Sequence, residues 1–195
     1  MYRIAVTNRN LCEGDFLSRI QKLASGSYYD AILLREKDLA EEKYEKLAVR
    51  VLSICERYDK KCILHTFYKT AERLGHPYLH LPLPLFEKME KEERREFVEI
   101  GTSIHSPEQL CQAENVGASY VTAGHIFETD CKKGLPPRGL SFLKKICSST
   151  ALPVYGIGGI HAGNEKQVIE QGAAGVCIMS GCMQDSSQGP GGIPV

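Results

Sequence analysis

Charge of one sign is what this chain most clearly lacks: Lys and Arg number 24, Asp and Glu 24, and the formal net charge is zero with neutral histidine. The field that draws proteins onto nucleic acid or an anionic membrane surface is therefore missing. No apolar run approaches the ~20 residues of a bilayer span, and the opening MYRIAVTNRN lacks the charged-then-apolar layout of a secretory leader. The eight cysteines (Cys12, Cys55, Cys62, Cys111, Cys131, Cys147, Cys177 and Cys182) form no CxxC pair and sit beside no histidine at zinc-finger spacing. Several lie in apolar strings, KCILH and GVCIM among them, where a thiol packs as a small hydrophobe, so reduced thiols are expected. These absences point to a cytoplasmic globular domain with no nucleic-acid and no membrane partner. Its 195 residues suit one full core and are too few for two.

What is present is alternation. Strand-like runs at 3–8, 30–35, 61–65, 78–81, 98–103, 119–124, 152–159 and 174–181 are interleaved with helical runs. Among the helices, 39–58 carries Leu47, Val51 and Ile54 at i, i+4, i+7. Another opens at Ser106 as N-cap, with Pro107 in its first position and Gln109 at the capping-box position. The stretch EKMEKEERRE (87–96) reads as a charged helix or turn with a solvated face. Strands separated by helices pair in parallel with right-handed crossovers, and eight such units close a (β/α)₈ barrel. The first strand runs into TNRN, with no GxGxxG, which speaks against an open dinucleotide-binding sheet. The expectation is an α/β single-domain TIM barrel over residues 1–183, its eighth helix short or missing. The Gly-, Pro- and Ser-rich residues 184–195 read as a disordered tail.

In such a barrel, chemistry sits on the loops after the strands. Glycines follow strands seven and eight together. Gly158, Gly159, Ser180 and Gly181 are therefore read as a phosphate cup of backbone N–H groups, the alternative being plain turn glycine. Arg35 and Lys37 end strand two and are placed to meet an anion; the alternative is a surface pair screened by Glu36 and Asp38. Lys132 and Lys133 lie on the long loop after strand six and could close over the anion. His125 follows the sixth β-run, so its ring is expected in the barrel mouth, where imidazole suits proton transfer near neutral pH; the alternative, the commoner one for a lone histidine, is a structural role. His65 and His105 end strands too, with a weaker claim. No Asp or Glu ends strands three, four or six, LPLPLF after strand four is apolar, and Asp38 and Asp130 stand alone, so no metal site is expected.

Five motifs, LLREKDL (33–39), SIHSPEQL (103–110), GHIFETDCKKGLPPRGL (124–140), PVYGIGGI (153–160) and GVCIMSG (175–181), resemble the thiamin phosphate synthase/TenI superfamily over nearly the whole chain. The resemblance implies a phosphate-binding (β/α)₈ barrel. The superfamily's synthase branch couples a pyrimidine pyrophosphate to a thiazole phosphate with Mg²⁺. That branch has a Gln two residues before the strand-two Arg, an Asn-Asp pair after strand three and an acidic run after HLG; this chain has Leu33, His65-Thr66 and Leu81-Pro82-Leu83-Pro84. Gly124-His125-Ile126-Phe127 with ETDCKKG is similar instead to the TenI branch of thiazole tautomerases. That resemblance implies His125 as the catalytic residue, a thiazole phosphate as the small-molecule partner, and no cofactor. The substrate carboxylate would then meet Arg35 and Lys37, then Ser103, with Lys133 as a further contact. A synthase with altered ligands, a non-enzymatic regulatory barrel and a phosphosugar isomerase on the same scaffold stay open, as does the oligomeric state, with a homodimer as the candidate.

Overall fold

A computed structural model describes residues 1–132 and 134–184. Eight strands form the wall: β1 (Tyr2–Val6), β2 (Ala31–Leu34), β3 (Lys61–His65), β4 (Tyr78–Pro82), β5 (Glu99–Ile104), β6 (Tyr120–Gly124), β7 (Val154–Ile157) and β8 (Gly175–Ile178). Each pairs in parallel with its sequence neighbours, and β1 also pairs with β8, closing the barrel. Parallel strands covered on both faces need continuous apolar runs, and β2, AILL, is buried at every position.

The helices form the outer layer. The Asp15 side chain caps α1 (Phe16–Ser25) by accepting from Ser18 N at 2.7 Å. The long α2 (Glu41–Arg57) lies against the sheet, and the Tyr44 hydroxyl donates to Leu34 O at 2.8 Å while accepting from His65 N at 2.9 Å. Its buried face is Tyr44, Ala48, Val51 and Cys55; Leu47 and Ile54 of the expected stripe only flank it. The shift arises because a tyrosine that hydrogen-bonds the barrel takes the central line. Then come α3 (Tyr68–Arg73), α4 (Leu83–Lys88), α5 (Lys91–Arg94), α6 (Pro107–Asn115), α7 (Gly139–Ser148), α8 (Glu165–Ile169) and α9 (Ser180–Met183). Ser106 caps α6 as the sequence implies, accepting from Gln109 N at 3.3 Å.

The apolar LPLPLF run turns directly into helix: Pro82 ends β4 and α4 starts at once, with Pro84 in its first turn, where no N–H is required. The charged stretch is split, because buried Met89 ends α4 and Glu90 opens α5 in a capping box with Glu93. The eighth helix is short, as expected: α9 has four residues. The expected tail falls largely at 185–195, outside the described residues.

Two apolar cores result. Ile4, Val6, Ala31, Leu33, Ile63 and Cys177 pack inside the barrel, and a larger set, including Ile20, Leu34, Leu64, Leu81, Ile104 and Ile146, fills the layer between strands and helices. Cys12, Cys55, Cys62, Cys111, Cys147, Cys177 and Cys182 are free thiols. Among the described residues no helix is long and apolar enough to cross a membrane.

Candidate active site

The C-terminal ends of the strands surround a cavity of about 430 Å³. Arg35, Lys37, Ser103, His125, Gly158, Gly159 and Ser180 line it, so most of the sequence-derived candidates converge. Gly181 lies one residue beyond the lining, in the first turn of α9, and Lys133 is outside the described residues. Its neighbour Lys132 does line the cavity.

The loop after β2 presents its cations because its carboxylates are engaged elsewhere. Glu36 is buried and accepts from Thr7 Oγ1 at 2.6 Å and from Arg9 N at 3.1 and 3.0 Å. Asp38 pairs with the Arg9 guanidinium at 2.6 and 2.5 Å, which holds its carboxyl at about 2. Glu36 and Asp38 thus serve Arg9. Burial lowers the Lys37 pKa, and the nearby charges of Arg35 and Lys132 lower it further. Among the described residues, no Asp or Glu lines the cavity.

His125 is held by its own loop. Its carbonyl accepts from Arg138 N at 2.9 Å, and Gly124 O accepts from Arg138 Nε at 3.1 Å and from His105 Nδ1 at 2.6 Å. A carbonyl can only accept, so the 3.3 Å contact between His125 Nε2 and Leu135 O puts a proton on Nε2, and in the neutral ring Nδ1 is then the nitrogen that carries the lone pair. Burial lowers the His105 pKa, which keeps that ring neutral. On the far side, Ile126 N donates to Ile157 O at 2.9 Å and Phe127 N to Gly158 O at 3.0 Å, stitching the histidine loop to the glycine turn. Gly158 has φ +99, and a Cβ there would stand 2.3 Å from His125 Cβ, so only glycine lets the two loops meet. None of the N–H groups of Gly158, Gly159, Ser180 and Gly181 donates to a loop or cap carbonyl among the described residues.

The residue that sequence reasoning missed is His80. It is 1% exposed, lines the cavity, stacks on His65 with ring centroids 5.6 Å apart, and contacts Ser103 Oγ at 2.9 Å and the Tyr120 hydroxyl at 3.1 Å. Its signal was period two: Leu79 and Leu81 face the helices, so Tyr78 and His80 face inward. The same alternation on β6 turns Tyr120 and Thr122 inward; the Tyr120 ring occupies the space that a side chain at Gly101 would fill. Burial drives the His65 pKa well down and that of His80 to about 3, helped by Lys37 and Arg35. Among the described residues, no three His, Cys, Asp or Glu side chains gather as a metal site.

A family model described as thiamine monophosphate synthase, of the synthase/TenI type, matches residues 3–182. The chain belongs to this family. The thiamine-phosphate synthase of Fusobacterium nucleatum is 30% identical over 184 residues, covering 92% of this chain and 88% of that protein. That of Clostridium acetobutylicum is 31% identical over 182 residues, covering 91% and 85%. Among solved structures, the thiamine phosphate pyrophosphorylase from Pyrococcus furiosus superimposes with a TM-score of 0.79 at 27% identity, over 93% of this chain and 87% of that one. The family places the chain among enzymes of thiamin biosynthesis and agrees with the closed eight-stranded barrel.

Proposed function

We propose that this member of the family is a thiazole tautomerase, converting a carboxythiazole-ylidene ethyl phosphate into the aromatic carboxythiazole ethyl phosphate. The observation that carries the reading is the composition of the cavity: an imidazole between a cationic loop and a glycine turn, and no carboxylate among its described lining residues. The substrate is anionic at both ends. Its phosphate is assigned to Gly158, Gly159, Ser180 and Gly181, and its carboxylate to Arg35, Lys37 and Ser103, with Lys133 as a further contact. His125 Nδ1 then removes the proton from the ring carbon bearing the carboxylate and returns it to the exocyclic carbon. Aromatisation drives the step, so the enzyme supplies placement and a proton carrier.

A second reading, Mg²⁺-dependent coupling of a pyrimidine pyrophosphate to a thiazole phosphate, is favoured by the names of the relatives, which are synthases. Against it stands the donor set. Mg²⁺ sites are built from carboxylate and phosphate oxygens, whereas this lining offers cations, imidazoles and hydroxyls. The residues do not fit that ion. Both reactions can be run on one preparation. The tautomerase reading expects aromatisation of the ylidene phosphate that is indifferent to EDTA, and no thiamin phosphate at any Mg²⁺ concentration. Robust coupling, with the ylidene phosphate untouched, would assign the chain to the synthase reaction.

A further inference from the structure

We infer that His80 is a positioning residue: with Tyr120 it orients the hydroxyl of Ser103 so that its proton points into the cavity, toward the carboxylate of the substrate. The inference rests on the tautomerase reading, because the carboxylate belongs to that substrate.

Hydrogen positions along a buried chain of polar groups fix the direction of each bond. Tyr120 is 2% exposed, and among the described residues its hydroxyl has one hydrogen-bond partner, His80 Nδ1 at 3.1 Å. A buried O–H must donate, so Tyr120 donates and Nδ1 accepts. Burial, with the charges of Lys37 and Arg35, keeps the His80 ring neutral, and a neutral imidazole carries one N–H. That hydrogen is therefore on Nε2 and is donated to Ser103 Oγ at 2.9 Å. Thr122 Oγ1 donates to the same oxygen at 3.0 Å. Both lone pairs of Ser103 Oγ are thus occupied, and its own proton is the one left to place. Ser103 is also the only member of the chain that is not buried, and it borders the cavity. The polarity matters for chemistry. In a hydrolase, the histidine accepts the serine proton and makes a nucleophile; here Nε2 donates, so Ser103 is a hydrogen-bond donor to an anion.

The test is calorimetric and uses two probes, carboxythiazole ethyl phosphate and the thiazole ethyl phosphate that lacks the carboxylate. A hydrogen bond to a charged group is worth about tenfold or more in affinity. Ser103→Ala and His80→Leu should each weaken the carboxylated probe about tenfold and leave the carboxylate-free probe unchanged. His80→Gln, which keeps an N–H near the position of Nε2, should retain most of the preference. The Ser103→Ala/His80→Leu double variant should lose no more than either single, as members of one chain do. Tyr120→Phe, which keeps the ring in place, should lose part of the preference and serves if His80→Leu does not fold. Equal weakening of both probes, or a preference unaltered by His80→Leu and Tyr120→Phe, would overturn the inference while leaving the tautomerase reading intact. A wild-type protein that does not turn over the ylidene phosphate fails at the earlier step and removes both.

Discussion

The two ends of the barrel carry charge in opposite ways. At the end where the strands begin, charge is matched within the chain. Arg3 meets Glu165 at 3.0 and 2.8 Å, and the Tyr28 hydroxyl donates to the same carboxylate at 3.1 Å. Lys61 pairs with Glu99 and stands 4.3 Å from the centre of the Tyr78 ring. Tyr2, Tyr120 and Tyr155 pack against one another there at 5.4 to 5.8 Å. At the other end Arg35, Lys37 and Lys132 share a cavity with His65, His80, His105 and His125, and no carboxylate among the described residues lines it. The acids on either side of Lys37 in the chain, Glu36 and Asp38, are turned to Arg9. One end is completed by the chain itself and holds the barrel together. The other has the chemistry of a site completed by an anionic ligand.

The sharpest way to break this contrast is to change one residue at each end. His125→Asn should lower kcat about 10²- to 10⁴-fold, the usual contribution of a general acid–base group, whereas Lys61→Met should leave turnover unchanged; steady-state assays of both decide it. A somewhat smaller effect is expected at the cationic loop. Lys37→Met should weaken carboxythiazole ethyl phosphate binding about ten- to a hundredfold by calorimetry, since it removes a charge-assisted contact to the carboxylate. The same variant should raise Tm, because a cation beside Arg35 and Lys132 is gone. Unchanged affinity would move the ligand's anion away from this loop.

Acid should separate the ends more gently. His65 and His80 are neutral in the fold, with His80 held to about 3. In the unfolded chain each titrates near 6.5, so the unfolded state binds the extra protons. Stability is therefore full above about pH 6.5 and falls as pH drops toward the folded value, by about 1.4 kcal/mol per pH unit for each histidine. Glu165, whose pKa is lowered, loses its contribution only below about pH 4.5. His76 and His105, whose pKa values burial also lowers, add to the slope of thermal melts between pH 7 and 5, so the cavity's share is read from the difference: His80→Gln should flatten that slope. The smallest effect is expected at Gly181. It has no positive φ, and an added Cβ would make ordinary contact 3.5 Å from Ile178 Cγ2, so Gly181→Ala should stay within about 0.5 kcal/mol of wild type in denaturant melts.

Much of this was legible in the chain. All eight strands were visible because parallel strands are apolar on both faces, and the cap at Ser106 because its chemistry is local. The placing of His125, Arg35, Lys37 and the glycines at the mouth followed from barrel topology alone. What sequence reading missed depends on tertiary contact. Nothing local says that Glu36 turns to Arg9 N rather than to its sequence neighbours. The apolar LPLPLF run takes no element from sequence because its two prolines suit either a strand edge or a helix start. His80 was passed over as part of a short apolar strand, although the alternation of Leu79 and Leu81 already assigned it to the interior.

The most direct measurement follows the moved proton. The ylidene phosphate is turned over in D₂O by wild type and by His125→Asn, and the product is examined by NMR at early times. With His125 as the single carrier, wild type should place deuterium on the exocyclic carbon while some product retains the substrate hydrogen. His125→Asn should form product no faster than about a hundredth of the wild-type rate. A His125→Asn protein that aromatises the substrate at near wild-type rate, with the same labelling, would contradict the account.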